Sequence, residues 1–453
     1  MLSRKPEETR DVALQLTAAL LIAFAVAFFI YYGVNTINDP VFGIDFSPYY
    51  VAGRSLASGD VQALTDYAET GGFNANAGPF LDNFRQHFFA DSPVATRWIY
   101  LPAYAWIFRP FAGLAFETAT RAWLIVNMAL TLLCIGLLYR ARPGRGDPIL
   151  DRWRVAWIIF MALTFQPVLD NMWHGNISAL IFACFGLSYW LLRRDRSFLA
   201  GLVLGMIVML KFYPGLFILY FAWRRNWLFI AGTVVSSAVI LALSLLTAGL
   251  PGNLAYFQMV LSELRGGGIP AFNNQSISGF LLHAFTRGDV NAWADVSVPV
   301  WLTIARLVLL LATVGAAAWA MRRRPERTNN PLLAQDFDLA LVIAVMLLTS
   351  PITWYHYYIW LLFPLVVLLD AFLLMAAGTT RRLAWLAIGY GLVAVQGISM
   401  IRPFAAQAIQ DVWGLRVLLS LSFFGAVILT VLLLRLRTEV RYANPDSNRE
   451  REQ

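Results

Sequence analysis

Three side chains in this sequence could move a proton or hold an anion from positions where apolar surroundings make them costly: Asp45, Lys211 and His356. Asp45 stands in the run GIDFSPYYVAGRSLASGD, which also carries Tyr49, Tyr50 and Arg54. A carboxylate placed there can serve as a general base. It can equally be a cap, because Asp45, or Ser47 before Pro48, could start the helix that follows. Spacing alone leaves the two readings level, since one acidic residue is a weak signal. Lys211 is one of two lysines in the chain and lies in the run KFYP between two short apolar segments. A buried ammonium needs a partner, which could be a substrate phosphate or carboxylate, Asp170, or a backbone carbonyl. His356 lies in SPITWYHYYIW. An unperturbed imidazole titrates near pH 6.5 and serves as base or acid at neutrality. A histidine among Tyr355, Tyr357 and Tyr358 also fits an interfacial aromatic belt. Asn273-Asn274-Gln275-Ser276 is an uncharged polar patch that could bond sugar hydroxyls or simply cap a helix.

The elements that must hold these residues are membrane helices. Of 453 residues, 59% are hydrophobic and 14% charged, and the mean hydropathy is +0.61. Soluble domains are typically about 25% charged, so this chain lacks the polar surface of a soluble globule, and hydrocarbon favours helices that satisfy their own backbone. The net charge of +8 does not point to nucleic acid. Its basic residues cluster between apolar runs, at Arg140, Arg142 and Arg145, at Arg193, Arg194 and Arg196, and at Arg322, Arg323 and Arg324. That distribution is the positive-inside pattern of cytoplasmic turns. Cys134 and Cys184 both lie within apolar runs and read as packing residues. The first apolar run is long enough to remain as an anchor, with no small-residue cleavage site after it.

These signals predict an all-α polytopic bundle of roughly ten spans, treated as a single domain over 1–453, with both termini cytoplasmic. Spans are expected near 12–33, 118–138, 155–169, 177–192, 227–249, 298–321, 337–353, 357–377, 383–401 and 415–436. The run 99–114 is short and broken by Pro102, Arg109 and Pro110, so it is expected to be re-entrant or interfacial, which keeps the following arginines inside. The segment 198–223 is expected to be a hairpin entering from the cytoplasm. A first outer loop covers about 34–98, with an interfacial helix over Phe46 to Ser58. A second covers about 250–297, and 437–453 is a short polar cytoplasmic tail. On this layout Asp45, Tyr49, Tyr50, Arg54, Asp170, His174, Asn176, Asn274, Gln275, Trp354, His356 and Arg402 all collect on the outer face, as do all four histidines. Ionisable groups at membrane depth are functional candidates by default, so the site is expected to face outward.

No Gly-rich phosphate cradle, His-Glu-x-x-His run or cysteine pair with ligand spacing is present. No cofactor and no metal-ligand set is therefore read from the sequence, which leaves metal dependence open, and an enzyme of this kind would draw on a donor already in the membrane. No duplicated half is visible, which weighs against transporters built from inverted repeats.

Several runs, taken together and in order, resemble the polyprenyl-phosphate-sugar-dependent glycosyltransferases of family 87, which have the GT-C membrane fold. They are Asp45 to Gly59, Ile99-Tyr100-Leu101-Pro102, Gly175-Asn176-Ile177-Ser178, Lys211 to Pro214, Asn274 to Ser276, and Ser350 to His356. Asn176 stands where the family pattern has glutamine, and Pro102 stands where it has a proline pair. The resemblance implies transfer of a hexose or pentose, mannose foremost, from a polyprenyl-phosphate donor to a glycolipid or glycan hydroxyl, by a single inverting displacement at the outer face of the plasma membrane. It implies Asp45 or His356 as base, with Lys211, Arg54 and Arg402 about the donor phosphate. Tyr49, Tyr50, His174, Asn176, Asn274, Gln275 and Trp354 would be placed around sugar or acceptor. The rival expectations are a lipid or solute transporter or flippase without chemistry, and an enzyme like an O-antigen ligase or polymerase.

Overall fold

The computed structural model describes residues 6–39, 42–61, 64, 98–142, 148–265, 268–287, 289–290, 296–374, 379–395 and 413–440. Their regular structure is helical. α1 (Pro6–Ile37) leads through a turn into α2 (Phe46–Ser58), a helix with the bounds expected from sequence. Short turns of helix cover Pro102 to Phe111, broken at Pro102 and Pro110, and none approaches membrane length. α3 (Phe116–Arg140) is followed by α4 (Pro148–Thr164) and α5 (Gln166–His174), with a bend of 43° between the last two where Pro167 opens the second. Next come α6 (Ser178–Leu192), α7 (Ser197–Val208), α8 (Leu216–Trp223) and the long α9 (Trp227–Arg265), interrupted at Gly249. The remaining helices are α10 (Ile277–Phe285), α11 (Val300–Ala320), α12 (Pro331–Thr349), α13 (Leu362–Leu374, entered through a 3-10 turn over Tyr355–Leu361), α14 (Thr379–Val395), α15 (Trp413–Leu418) and α16 (Leu421–Glu439).

Seven of these helices are long and apolar enough to cross a bilayer alone, eight if the bent α4–α5 pair counts as one span. Roughly ten were expected. The difference lies in α6 and α14, which have 15 and 17 residues. A helix already enclosed by protein need not match the full hydrocarbon thickness, because its ends meet other polar groups and not lipid. α6 is such a helix, with ten of its residues buried. At the centre, α12 and the segment from Tyr355 into α13 are almost wholly enclosed. At the periphery α1 turns Leu16, Leu20, Phe24 and Ile30 outward, and α11 does the same with Ile304, Leu307, Val308 and Leu311. Apolar faces of this extent require hydrocarbon around them. The chain is a polytopic membrane protein.

α7 and α8 form the expected hairpin, and α7 lies against α9. A Cβ at Gly201 would run into the Phe229 carbonyl of α9, so the close helix approach depends on its having no side chain.

At the end of the bundle opposite Asp45, the arginines do more than mark topology. Asp336 takes Arg142 at 3.1 Å and Arg193 at 3.8 Å; Asp370 takes Arg142 at 2.8 Å and Arg154 at 2.6 Å; Asp338 takes Arg224 and Arg437, both at 2.6 Å. This buried network ties together α4, α6, α8, α12, α13 and α16. Arg142, Arg193 and Arg224 are thus structural partners as well as charges near a turn.

Candidate active site

The turn after α1 is built around two glycine-dependent contacts. Gly43 donates its N–H to the Trp173 carbonyl at 2.8 Å, and Asp45 donates its own to His174 at 2.8 Å. Gly175 ends α5 with φ 65°, a left-handed conformation that glycine adopts without penalty. A Cβ there would also meet the Phe46 Cβ at 3.0 Å. The end of α5 and the start of α2 therefore lock together, while Trp123 of α3 donates to the Gly175 carbonyl at 2.7 Å.

This lock sets the Asp45 side chain, which is 16% exposed. It does not bond the N-terminus of α2, although it occupies the cap position. Instead Asn176 Nδ2 donates to Asp45 Oδ2 at 2.9 Å, and Asn176 Oδ1 accepts from the Ser178 amide and hydroxyl at 3.0 and 2.7 Å. One asparagine thus starts α6 and holds the carboxylate, leaving Asp45 free of a capping duty.

His356 arrives from the other side, at the start of the 3-10 turn before α13. Its Nε2 is 3.8 Å from Asp45 Oδ2, and its Nδ1 is 3.8 Å from Asp170 Oδ2. Neither ring nitrogen makes a hydrogen bond among the described residues, although the side chain is buried. Two carboxylates therefore bracket one imidazole at distances that attract charge but exceed a hydrogen bond. His174 packs beside it with ring centroids 4.8 Å apart, and His174 Nδ1 is 2.8 Å from the Asp170 carbonyl and 3.4 Å from its carboxylate. Sequence reading set Asp170 on the outer face and offered it as a partner for Lys211. The stronger signal was its spacing from His174, four residues apart on one helix, which puts both on one face.

Lys211 sits between α7 and α8, with its amide bonded to the Ile207 carbonyl at 2.9 Å. Its ammonium lies 3.5 Å from the centroid of the Tyr357 ring and has no hydrogen-bond partner among the described residues. Tyr357 is itself stacked on Trp360 at 5.4 Å. Lys211 is also near enough to Asp45 and His356 to act on both electrostatically, so one enclosed amino group faces the carboxylate and imidazole with its donors unused. Beside them Tyr49 and Tyr100 share a hydroxyl hydrogen bond at 3.1 Å. Burial raises both phenols above their ordinary range, so they remain neutral donors. Tyr100 was quoted only within a motif, and its part here was missed.

Other expected site residues are placed elsewhere. Asn274 and Gln275 have no exposed surface. The Asn274 side chain accepts from Ser276 and from the Thr353 amide at 3.1 Å, and Gln275 Nε2 donates to the Phe272 and Leu419 carbonyls, each at 2.8 Å. Trp354 pairs with Asn274 through an antiparallel backbone bridge. These three knit the segment leading into α10 to the turn that carries His356. Tyr50 is buried and donates to the Leu114 carbonyl at 2.6 Å, with exposed Arg54 over its ring. Arg402 lies outside the described residues.

Asp45, His174 and His356 present ligand atoms within 4.8 Å of one another. Zinc bonds of 2.0–2.1 Å require donors about 3.4 Å apart in a tetrahedron. The arrangement is more open than a zinc shell.

The model of glycosyltransferase family 87 matches residues 98–351. The chain is 29% identical over 267 residues to a polyprenol-phosphate-mannose-dependent alpha-(1-2)-phosphatidylinositol mannoside mannosyltransferase of Mycobacterium tuberculosis, a match covering 57% of each chain. It is 26% identical to the Mycolicibacterium smegmatis protein of the same name, over 72% of this chain and 69% of that one. It is 24% identical to an alpha-(1->3)-arabinofuranosyltransferase of Corynebacterium glutamicum, over 60% of each. No solved structure matches. The family match covers more than half of the chain and includes Tyr100, Asp170, His174, Asn176 and Lys211 of the site just described, so the chain belongs to glycosyltransferase family 87.

Proposed function

We propose that this protein transfers a single sugar, mannose foremost, from a polyprenyl-phosphate donor to a hydroxyl of a glycolipid or glycan at the outer face of the plasma membrane. The observation that carries the reading is the pairing of an enclosed ammonium without hydrogen-bond partners, Lys211, with an imidazole bracketed by Asp45 and Asp170. The relatives' names supply the donor class and favour mannose, with arabinofuranose as the other named sugar.

In this reading the acceptor oxygen attacks the anomeric carbon while the bond from that carbon to the phosphate oxygen breaks, its electron pair leaving with the phosphate. Lys211 stabilises the charge that develops on the leaving oxygen. The acceptor proton passes to Asp45, with His356 and behind it Asp170 disposed to share or remove it. Nothing covalent forms on the protein, and one displacement inverts the anomeric centre. Asn176 and His174 act as positioning residues, holding Asp45 and Asp170 respectively. Tyr49 and Tyr100 offer neutral hydroxyls to sugar or phosphate.

Purified protein incubated with polyprenyl-phosphate mannose and a glycolipid acceptor is expected to release polyprenyl phosphate and a mannosylated acceptor of inverted configuration. Movement of the donor across a bilayer without its cleavage would overturn the reading in favour of a flippase. Activity confined to lipid-diphosphate oligosaccharides would favour a ligase.

A further inference from the structure

Trp173, next to His174 at the outer end of α5, takes no part in the proton and phosphate chemistry above. It is only half-buried, although Met172 and His174 on either side of it are enclosed. Three contacts hold it. Its carbonyl accepts from Gly43 in the Asp45 turn at 2.8 Å, and its indole Nε1 donates to Asp39 Oδ2, just beyond α1, at 2.9 Å. Its ring stands nearly perpendicular to that of His174, with centroids 4.7 Å apart. Beyond these the side chain makes no hydrogen bond or ring contact among the described residues. The Asp39 bond fixes the indole plane in advance, so a ligand packing on it does not have to immobilise the side chain.

The reaction gives this ring a direction. His356 has the Tyr357 ring 4.8 Å away as one neighbour, with Lys211 over it, and the His174 ring 4.8 Å away as another, with Trp173 next in line. In an inverting displacement the nucleophile and the leaving group occupy opposite faces of the sugar. With the departing phosphate at Lys211, the acceptor hydroxyl meets Asp45 and His356 from the side of His174, and the body of the acceptor lies against Trp173. A sugar ring suits that surface. Its C–H faces are drawn to the electron-rich face of an indole, while its rim hydroxyls donate to a carboxylate such as Asp39. An alkyl chain would bury the Asp39 carboxylate with nothing to give it.

We propose that Trp173 is the platform for the acceptor's own sugar, so that the protein extends a glycan and does not glycosylate a plain lipid or polyol hydroxyl. The direction of approach rests on the sugar-transfer reading above.

The test is binding of octyl α-mannoside and of 1-O-octylglycerol to the full chain in lipid nanodiscs, measured by calorimetry without donor and corrected for empty discs. Wild type is expected to bind the mannoside and not the glycerol ether. Trp173→Phe and Trp173→Leu both lose the bond to Asp39 and keep apolar bulk, and they differ in the aromatic face. Trp173→Phe should bind the mannoside within about threefold of wild type, and Trp173→Leu about tenfold more weakly, the size of one aromatic contact. The same order should appear in KM for the mannoside acceptor, with KM for polyprenyl-phosphate mannose unchanged. Equal binding by the two variants, or octylglycerol bound by wild type as well as the mannoside, would overturn the proposal. Because binding is read without donor, a protein that binds the mannoside in this order yet transfers no sugar would refute the sugar-transfer reading and leave the platform standing.

Discussion

At the scale of single residues, Asp45 illustrates how two readings that spacing could not separate become separable by hydrogen bonding. It occupies the cap position of α2 but makes no capping bond, and its carboxylate is held by Asn176. Asp45→Asn should therefore lower turnover by at least the roughly 10²-fold expected of a lost general base while leaving thermal stability nearly unchanged. A fall in stability with turnover kept would return Asp45 to the cap. His356→Phe should likewise abolish transfer, because it keeps ring packing against His174 and Tyr357 and removes both unpartnered nitrogens. Lys211 invites a different readout. Its ammonium faces an aromatic ring and no fixed carboxylate within salt-bridge distance among the described residues, so Lys211→Gln removes little from the resting fold. Its effect should fall on donor use, measured as kcat/KM for the polyprenyl-phosphate sugar at saturating acceptor. Equal losses toward both substrates would argue that Lys211 braces the hairpin.

At the scale of elements, the segment that leads into α10 is a brace for the His356 turn. Next along the chain His283 of α10 is wholly buried, its Nε2 3.0 Å from the Ala271 carbonyl and its Nδ1 2.9 Å from the Ser420 hydroxyl. Those partners suit a neutral ring that donates through Nε2 and accepts through Nδ1. Burial, with the nearby Arg416 adding to it, lowers the imidazole to about 4. The unfolded chain takes up its proton first, near pH 6.5, so stability from this group is complete above that pH and declines as pH falls toward 4. The decline should approach roughly 3 kcal/mol, seen as a falling unfolding temperature in wild type and a flatter profile in His283→Gln. Sequence made the helix α2, the broken 99–114 stretch and the 198–223 hairpin readable, because proline, glycine and length act locally. The partners of Asn274 and Gln275 were not readable. Whether a buried amide faces a sugar or the Thr353 amide depends on which loop folds over it, and that is a long-range fact.

At the scale of the whole molecule, two charged clusters lie at opposite ends of α12. Asp336 is in its second turn, and the turn bearing His356 follows Thr349, about 20 Å further along at 1.5 Å per residue. The three aspartates of the ion network sit inside apolar runs, so hydropathy passed over them, and their arginines looked like topology signals alone. Asp338 is fully buried between Arg224 and Arg437. Asp338→Asn leaves two guanidiniums without their counter-charge and should cost about 3–5 kcal/mol, read by thermal unfolding in detergent, with turnover per folded molecule largely retained at that distance. The same polarity gives the topology its test. If the arginine-rich end is cytoplasmic, as the positive-inside rule requires, exposed positions near the two clusters must differ in access from outside. Arg287, beyond α10, and Asn329, before α12, are both exposed and lie in these two regions. A membrane-impermeant maleimide added to intact cells should label Arg287→Cys and spare Asn329→Cys until the membrane is opened. Cys134 is buried, and the parent protein treated alike reports any labelling of Cys184. Labelling of Asn329→Cys in intact cells would invert the bundle and put Asp45, His356 and Lys211 on the cytoplasmic side. The donor would then have to be used from the inner leaflet, and the outward-facing reaction would fall with it.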